Sequence, residues 1–256
     1  MPLVSGPEDG DARMSTDSQR GWKAIWERRR VAPAYDDLLA ALIAADGCDT
    51  GFGSYSTADW RAMVAEAARL AGVGARSRVM EIGCGAGAFL HELRLQTGCR
   101  VAGLDYSASL IEEARRHLPG GDFFHTEAAD LAGLPGPYDA IFSHSVFFYF
   151  PDHAYVLRVL AAAFDKLAPG GALCLQDLND LARQAAFEAH RRRTYRSPQD
   201  YDRDYAGLSH LYFDRELLPE QLRGLGFEDV RLFDHIAEGY ENAAFRFNLV
   251  ARRPAA

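Results

Sequence analysis

Val79-Met80-Glu81-Ile82-Gly83-Cys84-Gly85-Ala86-Gly87 carries an apolar strand directly into a glycine-rich turn, and helical spacing follows from Ala86 to Gln96. Glycines at such a turn let the backbone bend sharply and approach a ligand without a Cβ in the way. The turn by itself is ambiguous, because Gly83, Gly85 and Ala88 also satisfy the G-x-G-x-x-G/A pattern of dinucleotide sites.

Outward from this turn the chain alternates strand and helix. Arg78–Ile82, Arg100–Leu104, Asp122–His125, Tyr138–Ser143 and Ala172–Asp177 have strand character, and Ala86–Gln96, Ala108–Leu118 and His153–Leu167 have helical spacing between them. In the last helix Val156, Leu160, Ala163, Phe164 and Leu167 form one apolar stripe. Strand–helix alternation implies parallel strands covered on both faces, and right-handed crossovers then wind a doubly wound α/β sheet. A short helix near Pro219 precedes Glu228–Ile236 and Ala244–Ala251, which are expected to pair as an antiparallel hairpin at the sheet edge.

Residues 75–252 therefore form the main domain, and 20–74 a helical cap split by Pro33 and closed by a helix starting after Ser56 or Thr57 and ending at Gly72. Residues 1–19 are acidic and polar, and are expected to be an unstructured tail rather than a signal peptide. The segment 179–212, charged and rich in Tyr and Arg, interrupts the rhythm after the fifth strand and is expected to form a lid over the carboxyl edge of the sheet.

Composition narrows the function classes. The chain has 256 residues, 48% hydrophobic and 25% charged, with a formal charge of −8, which disfavours a nucleic-acid partner. The runs Arg28–Arg30 and Arg191–Arg193 read as solvated helix faces. Cys48, Cys84, Cys99 and Cys174 make no Cys-x-x-Cys pair, and the eight histidines show no ligand spacing, so neither a disulfide framework nor a metal is expected. No stretch is long and apolar enough for a membrane span, and a cytoplasmic protein is expected.

The second strand ends in Gly103-Leu104-Asp105-Tyr106, where a carboxylate can accept hydrogen bonds from both ribose hydroxyls of an adenosine cofactor; the alternative is an N-cap, for which Ser107 is better suited. Glu81 precedes the glycines where dinucleotide turns are usually apolar, and suits an ammonium. Asp130, in Glu127-Ala128-Ala129-Asp130-Leu131, is placed to accept from an adenine amine. Leu167-Ala168-Pro169-Gly170-Gly171 supplies a sharp turn before the fifth strand.

The order Glu-x-Gly-x-Gly-x-Gly, acidic strand-two end, Asp130, Tyr138-Asp139-Ala140-Ile141 and Pro-Gly-Gly resembles the class I S-adenosylmethionine-dependent methyltransferase family over roughly Ala75 to Arg252. That resemblance implies a Rossmann-like, mainly parallel seven-stranded sheet with the last strand antiparallel, S-adenosylmethionine as cofactor, and methyl transfer to an oxygen, nitrogen or carbon nucleophile of a small molecule. It carries cofactor contacts onto Glu81, Gly83, Gly85, Asp105, Tyr106, Ala129, Asp130 and Ser143. The family's Asp/Asn-Pro-Pro-Tyr tetrapeptide is absent, which disfavours adenine or glutamine acceptors.

Beyond strand four, Ser143-His144-Ser145-Val146-Phe147-Phe148-Tyr149-Phe150 should face the acceptor. His144 is the first candidate general base, with a structural histidine as the alternative, and His210 and Tyr212 come next. Tyr149 and Tyr55 are expected to contact substrate, and Trp22 and Trp26 either cover the site or simply pack. A lid bearing Arg191, Tyr195, Arg196, Tyr201 and Tyr205 suits a polar or anionic acceptor, unless these residues pair with the core. By family analogy such a lid is compatible with specialised metabolism. The rival readings are an NAD(P)-dependent oxidoreductase, a catalytically inactive binding protein of the same fold, or a non-methylating use of the cofactor. Oligomeric state is left open.

Overall fold

The computed structural model describes residues 9–32, 35, 37–49, 54–235 and 239–255, with side chains from Ser18 onward. The expected break at Pro33 and the proposed strand end at Ile236 lie outside these residues. Seven strands, β1 (Arg78–Ile82), β2 (Arg100–Asp105), β3 (Asp122–His125), β4 (Tyr138–His144), β5 (Leu167–Asn179), β6 (Glu228–Asp234) and β7 (Arg246–Arg252), form one sheet in the order β3-β2-β1-β4-β5-β7-β6. Neighbours from β3 through β5 pair parallel, whereas β7 runs antiparallel to both β5 and β6. The late pair therefore is a hairpin, with β6 outermost.

Strand alternation sorts the core into two layers. Val79, Val101, Phe142, Cys174 and Val250 point to one face, against α2 (Leu38–Ala45), α3 (Thr57–Ala71), α4 (Ala88–Thr97) and α5 (Ala108–His117). Met80, Ala102, Ile141, Leu173 and Leu249 point to the other, against α6 (His153–Lys166) and α9 (Leu217–Gly224). Helix starts follow local chemistry: Ser56 accepts from Asp59 N at 3.0 Å, Asp152 from Tyr155 N at 2.6 Å, and Ser107 caps α5.

Two local expectations change. The polar stretch before Arg20 is helical from Asp9, within α1 (Asp9–Trp26), so residues 9–19 are not an unstructured tail. Docking accounts for this: Ser209 N donates to Ser18 Oγ at 2.8 Å and Trp22 Nε1 to Ser209 O at 2.9 Å, tying α1 to the main domain. The Pro169-Gly170-Gly171 turn is a wide bulge inside β5, opposite the step from Tyr138 to Ala140. The segment 179–212 contains α7 (Gln184–Thr194) and α8 (Pro198–Asp204).

Candidate active site

A cavity of about 740 Å³ opens at the carboxyl ends of β1, β2, β4 and β5, between α1 and the α7–α8 segment. Its volume lies within the range of small-molecule sites, roughly 300–1,000 Å³.

One end is built on the β1 turn. Gly83 (φ 72°) and Gly85 (φ 53°) adopt left-handed backbone. A Cβ on Gly83 would lie 2.4 Å from Val146 Cγ2, and one on Gly85 would lie 2.1 Å from Asp46 Oδ1, so both positions require glycine. Asp105, at the end of β2, accepts from Gly85 N at 3.0 Å and Ser107 N at 2.8 Å, leaving further lone pairs for a ligand. Burial pushes its carboxyl up to about 6 despite those two bonds. Glu81 is 3% exposed, its Oε2 has no hydrogen-bond partner, and burial, then Asp46 and Asp105, raise its pKa well above the usual carboxylate range. A buried carboxyl oxygen without a partner on a cavity wall calls for a donor from a ligand, and a ligand cation would favour its ionised form. Tyr106 also lines this end, with its hydroxyl unpartnered.

The other end is cationic and aromatic. Trp22 and Trp26 of α1 pack on Tyr149 with ring centroids 4.8 and 5.6 Å apart, so both tryptophans do cover the cavity. Arg191, 8% exposed, lies with its guanidinium 4.5 Å from the Tyr205 ring centre and donates to His210 Nδ1 at 3.0 Å. No carboxylate pairs with Arg191 among the described residues. The neighbouring lid arginines pair within the lid instead: Arg192 with Asp202 at 2.6 Å, Arg203 with Asp200 at 2.7 Å, and Arg196 with Asp204. His210 accepts from Arg191 through Nδ1, so its proton sits on Nε2, which has no partner. Burial, followed by Arg191 and Arg246, holds its pKa well below that of a free imidazole.

Between the two ends, Ser145 (φ 56°) and Asp177 (φ 65°) are non-glycine residues in left-handed backbone, hydrogen-bonded to each other across the tips of β4 and β5. Such strain clusters at functional sites. Asp177 is fully buried, pairs with Arg246 and accepts from Tyr240 Oη at 2.9 Å. Burial raises its carboxyl, but Arg246, His144, His235 and the Ser145 hydroxyl outweigh that and leave it below the ordinary value. His144 lines the cavity at the end of β4, and burial lowers its pKa to about 4.

Of the residues singled out from sequence, Glu81, Gly83, Gly85, Asp105, Tyr106, His144, Tyr149 and His210 line this cavity together. Five do not. Asp130 points to solvent near Thr126, because the 3-10 turn Ala128–Gly133 buries Leu131 and rotates Asp130 outward. Ala129 packs toward α6, its N–H donating to Tyr155 Oη at 3.1 Å. Glu127 and Ala128 take those places on the wall, and Lys23 of α1 pairs with Glu127. Ser143 is fully buried and its hydroxyl donates to Ile82 O at 2.9 Å, binding β4 to β1. Tyr55 stands behind His144, sharing hydrogen bonds with His144 Nε2 (3.3 Å) and His235 Nε2 (2.7 Å) and stacking on Tyr240. Tyr212 is buried off the cavity. Sequence reasoning missed Asp46, Glu127, Asp177, Tyr240, Asn242 and Arg246, all of them lining residues.

A 3-2-1-4-5-7-6 sheet with β7 reversed, a glycine-rich turn after β1 and an acidic tip on β2 define the Rossmann-like methyltransferase architecture. The family described as "Methyltransferase domain" matches residues 52–232. The chain belongs to the class I S-adenosylmethionine-dependent methyltransferases, which sets aside the oxidoreductase alternative. Among curated proteins it is similar to trans-aconitate 2-methyltransferase of Methylobacterium nodulans, 39% identical over 103 residues, covering 40% of this chain and 38% of that protein. The counterpart from Rhodopseudomonas palustris (strain BisB18) is 38% identical over 100 residues, covering 39% and 38%. The chain thus spans less than two fifths of the length of these relatives. In fold it is similar to the N-methyltransferase NodS from Bradyrhizobium japonicum WM9 in complex with S-adenosyl-L-homocysteine, with TM-score 0.57, 18% identity, and 93% and 99% of the two chains covered. No helix among the described residues is long and apolar enough to cross a membrane.

Proposed function

We propose that the protein transfers a methyl group from S-adenosylmethionine to a small anionic acceptor, with a carboxylate oxygen as the nucleophile. The observation that carries the acceptor class is Arg191: a buried cation on the cavity wall with no carboxylate partner among the described residues, next to the unpartnered His210 Nε2–H. Burying a charge without compensation is costly, and an anionic ligand supplies the compensation. The curated relatives named above act, by name, on trans-aconitate, which is a polycarboxylate.

The residues of the opposite end fit the cofactor. Glu81, with its unpartnered oxygen, would hold the ammonium; Asp105 would accept the ribose hydroxyls; Tyr106, Glu127 and Ala128 would flank the adenine. When bound, S-adenosylmethionine supplies a methyl group already activated on a sulfonium. The chain's task is to orient the acceptor and exclude water. Trp22, Trp26 and Tyr149 roof the cavity, and Arg191 fixes one end of the acceptor. Positioning of this kind is worth up to about 7–11 kcal/mol in favourable intramolecular cases.

His144 is neutral near pH 7 but, with its pKa lowered to about 4, is a weak base. That favours a nucleophile needing no deprotonation, and a polycarboxylate offers one carboxylate to anchor and one to react. His144 then serves to orient rather than to remove a proton. A role in specialised metabolism rests on the lid's composition alone.

The test has two stages. Calorimetric titration with S-adenosyl-L-homocysteine, with NADH as control, should give micromolar binding to the former only; binding to neither would return weight to an inactive fold. Methyl-labelled S-adenosylmethionine is then offered with di- and tricarboxylates and with amines of similar size. Label should enter the carboxylates, and Arg191→Met should lower their kcat/KM by about 10- to 100-fold while leaving S-adenosyl-L-homocysteine affinity within twofold. Labelling confined to amines would refute the acceptor class.

A further inference from the structure

Asp46 caps the C-terminal end of α2, far in sequence from the glycine-rich turn, yet its carboxylate is seated in that turn. Oδ1 accepts from Ala86 N at 2.5 Å and Oδ2 from Ala88 N at 3.1 Å, so the chain's own anion occupies the N-terminal end of α4. Free helix N-termini attract anionic ligands, phosphates above all, through exposed N–H groups and the helix dipole. Here those donors are taken, and the missing Cβ of Gly85 makes room for the carboxylate, since a Cβ there would lie 2.1 Å from Asp46 Oδ1. Asp46 also lines the cavity together with Glu81 and Asp105, and the Glu81 Oε2 beside them is buried and unpartnered. Three acidic side chains surround one turn: Asp46 and Asp105 carry charge once ionised, and Glu81, which burial holds in its protonated form, offers an oxygen without a partner. Such a region stabilises a cation and repels an anion.

We propose that Asp46 is a cofactor-selecting residue: by placing a fixed carboxylate on the amides of the α4 N-terminus, it makes the site favour cationic S-adenosylmethionine over its neutral product. The inference rests on the cofactor assignment above and extends it to a residue outside the family's motif stretch. Its consequence is directional. The ligand loses its sulfonium charge when the methyl leaves, so the ionised carboxylates of Asp46 and Asp105 hold the product less firmly than the substrate.

The groups facing Asp46 are Asp105 from β2, which raises its pKa, and Arg29 from the segment after α1, which lowers it; Glu81 from β1 and Cys48 beyond α2 respond to its charge in turn. Binding is therefore measured at pH 8, where the Asp46 carboxyl is ionised. The experiment is calorimetric titration of the full chain with S-adenosylmethionine and, separately, S-adenosyl-L-homocysteine. Wild type, Asp46→Asn and Asp46→Ser are compared, each checked by circular dichroism. Both variants are neutral but differ in shape, so a shared effect reports charge. The expected result is that wild type prefers S-adenosylmethionine and that both variants reduce this preference by about three- to tenfold. An unchanged ratio, with both affinities falling in parallel, would overturn the proposal and leave Asp46 a capping residue. Wild type binding neither compound would instead overturn the cofactor assignment and this inference with it.

Discussion

The Gly83–Val146 contact allows the site's backbone geometry to be tested by coupling. In Gly83→Ala the new Cβ would lie 2.4 and 2.7 Å from the two γ carbons of Val146, and the residue would have to keep φ at 72°. Left-handed backbone costs alanine about 1–2 kcal/mol, and overpacking a methyl adds about 1–3 kcal/mol. With an unfolding entropy near 2.1 cal/mol/K per residue, 256 residues give roughly 0.5 kcal/mol per degree, so Tm should fall by about 4–10 °C. Val146→Ala removes both offending γ carbons. It costs about 1 kcal/mol alone, because Val146 is partly exposed to the cavity. In the double variant the steric part disappears and the backbone part remains. The double-mutant cycle should therefore show about 1–3 kcal/mol of favourable coupling. Urea or thermal denaturation of the four proteins measures it, and S-adenosyl-L-homocysteine titration reports whether the turn regains its shape. Additivity within 0.5 kcal/mol would refute the close contact between the β1 turn and the tip of β4.

Asp105→Ala should weaken S-adenosyl-L-homocysteine binding by about 10- to 150-fold, since hydrogen bonds to a charged acceptor contribute about 1.5–3 kcal/mol; unchanged affinity would remove Asp105 from the site. Glu81→Gln replaces a buried carboxyl lacking a partner for one oxygen, so the ligand-free protein should gain Tm at pH 8 while losing S-adenosylmethionine affinity. Loss of both would mean that Glu81 is structural. Burial raises the Asp46 carboxyl from 3.8 to about 7, so the folded state holds the proton longer than the unfolded chain. Its stabilising contribution is complete below pH 3.8 and is lost as pH rises through 7. Asp46→Asn cannot lose that contribution, and so should gain Tm relative to wild type as pH rises from about 4 to about 7, with the difference constant above that, by a few degrees at most because the group is partly open to the cavity. A pH-independent difference between the two proteins would refute the raised pKa.

The sheet was legible because its signal is local. Five parallel strands announce themselves as short apolar runs alternating with helical spacing, and the Glu81-to-Gly87 turn marks which strand tip carries the ligand. Residues fixed by strand tips, such as Asp105 and His144, were found for the same reason. Residues brought in by packing were not. Asp46 reaches the turn only because α2 packs into the same core layer as α4, and Arg246 reaches Asp177 only because β7 inserts beside β5. Nothing near either residue in sequence signals those encounters. The choice of Asp130 over Glu127 was avoidable: β3 ends at His125, and the first carboxylate beyond a strand tip stands at the carboxyl edge, whereas Asp130 lies three residues further on, inside a 3-10 turn that carries it outward.

The two arginines on the cavity wall illustrate why charge alone does not identify an anchor. Arg246 is 7% exposed and pairs with a fully buried Asp177, which also holds Ser145 and Tyr240. Its charge is matched within the protein, so its main work is structural: it keeps the strained tips of β4 and β5 in place. Removing one member of such a pair leaves the other buried and uncompensated, at a cost of about 3–5 kcal/mol. Arg191 has rings and a neutral imidazole around it instead, groups that tolerate a cation without cancelling it. An acceptor carboxylate would compete with Asp177 at Arg246 but meets no competitor at Arg191. Affinity for an anion should therefore depend on Arg191, whereas stability depends on Arg246. Arg246→Met should lower Tm by about 6–10 °C on that cost, and Arg191→Met should leave it nearly unchanged. Equal losses of stability in the two variants would show that both arginines are scaffold and that the acceptor is held elsewhere.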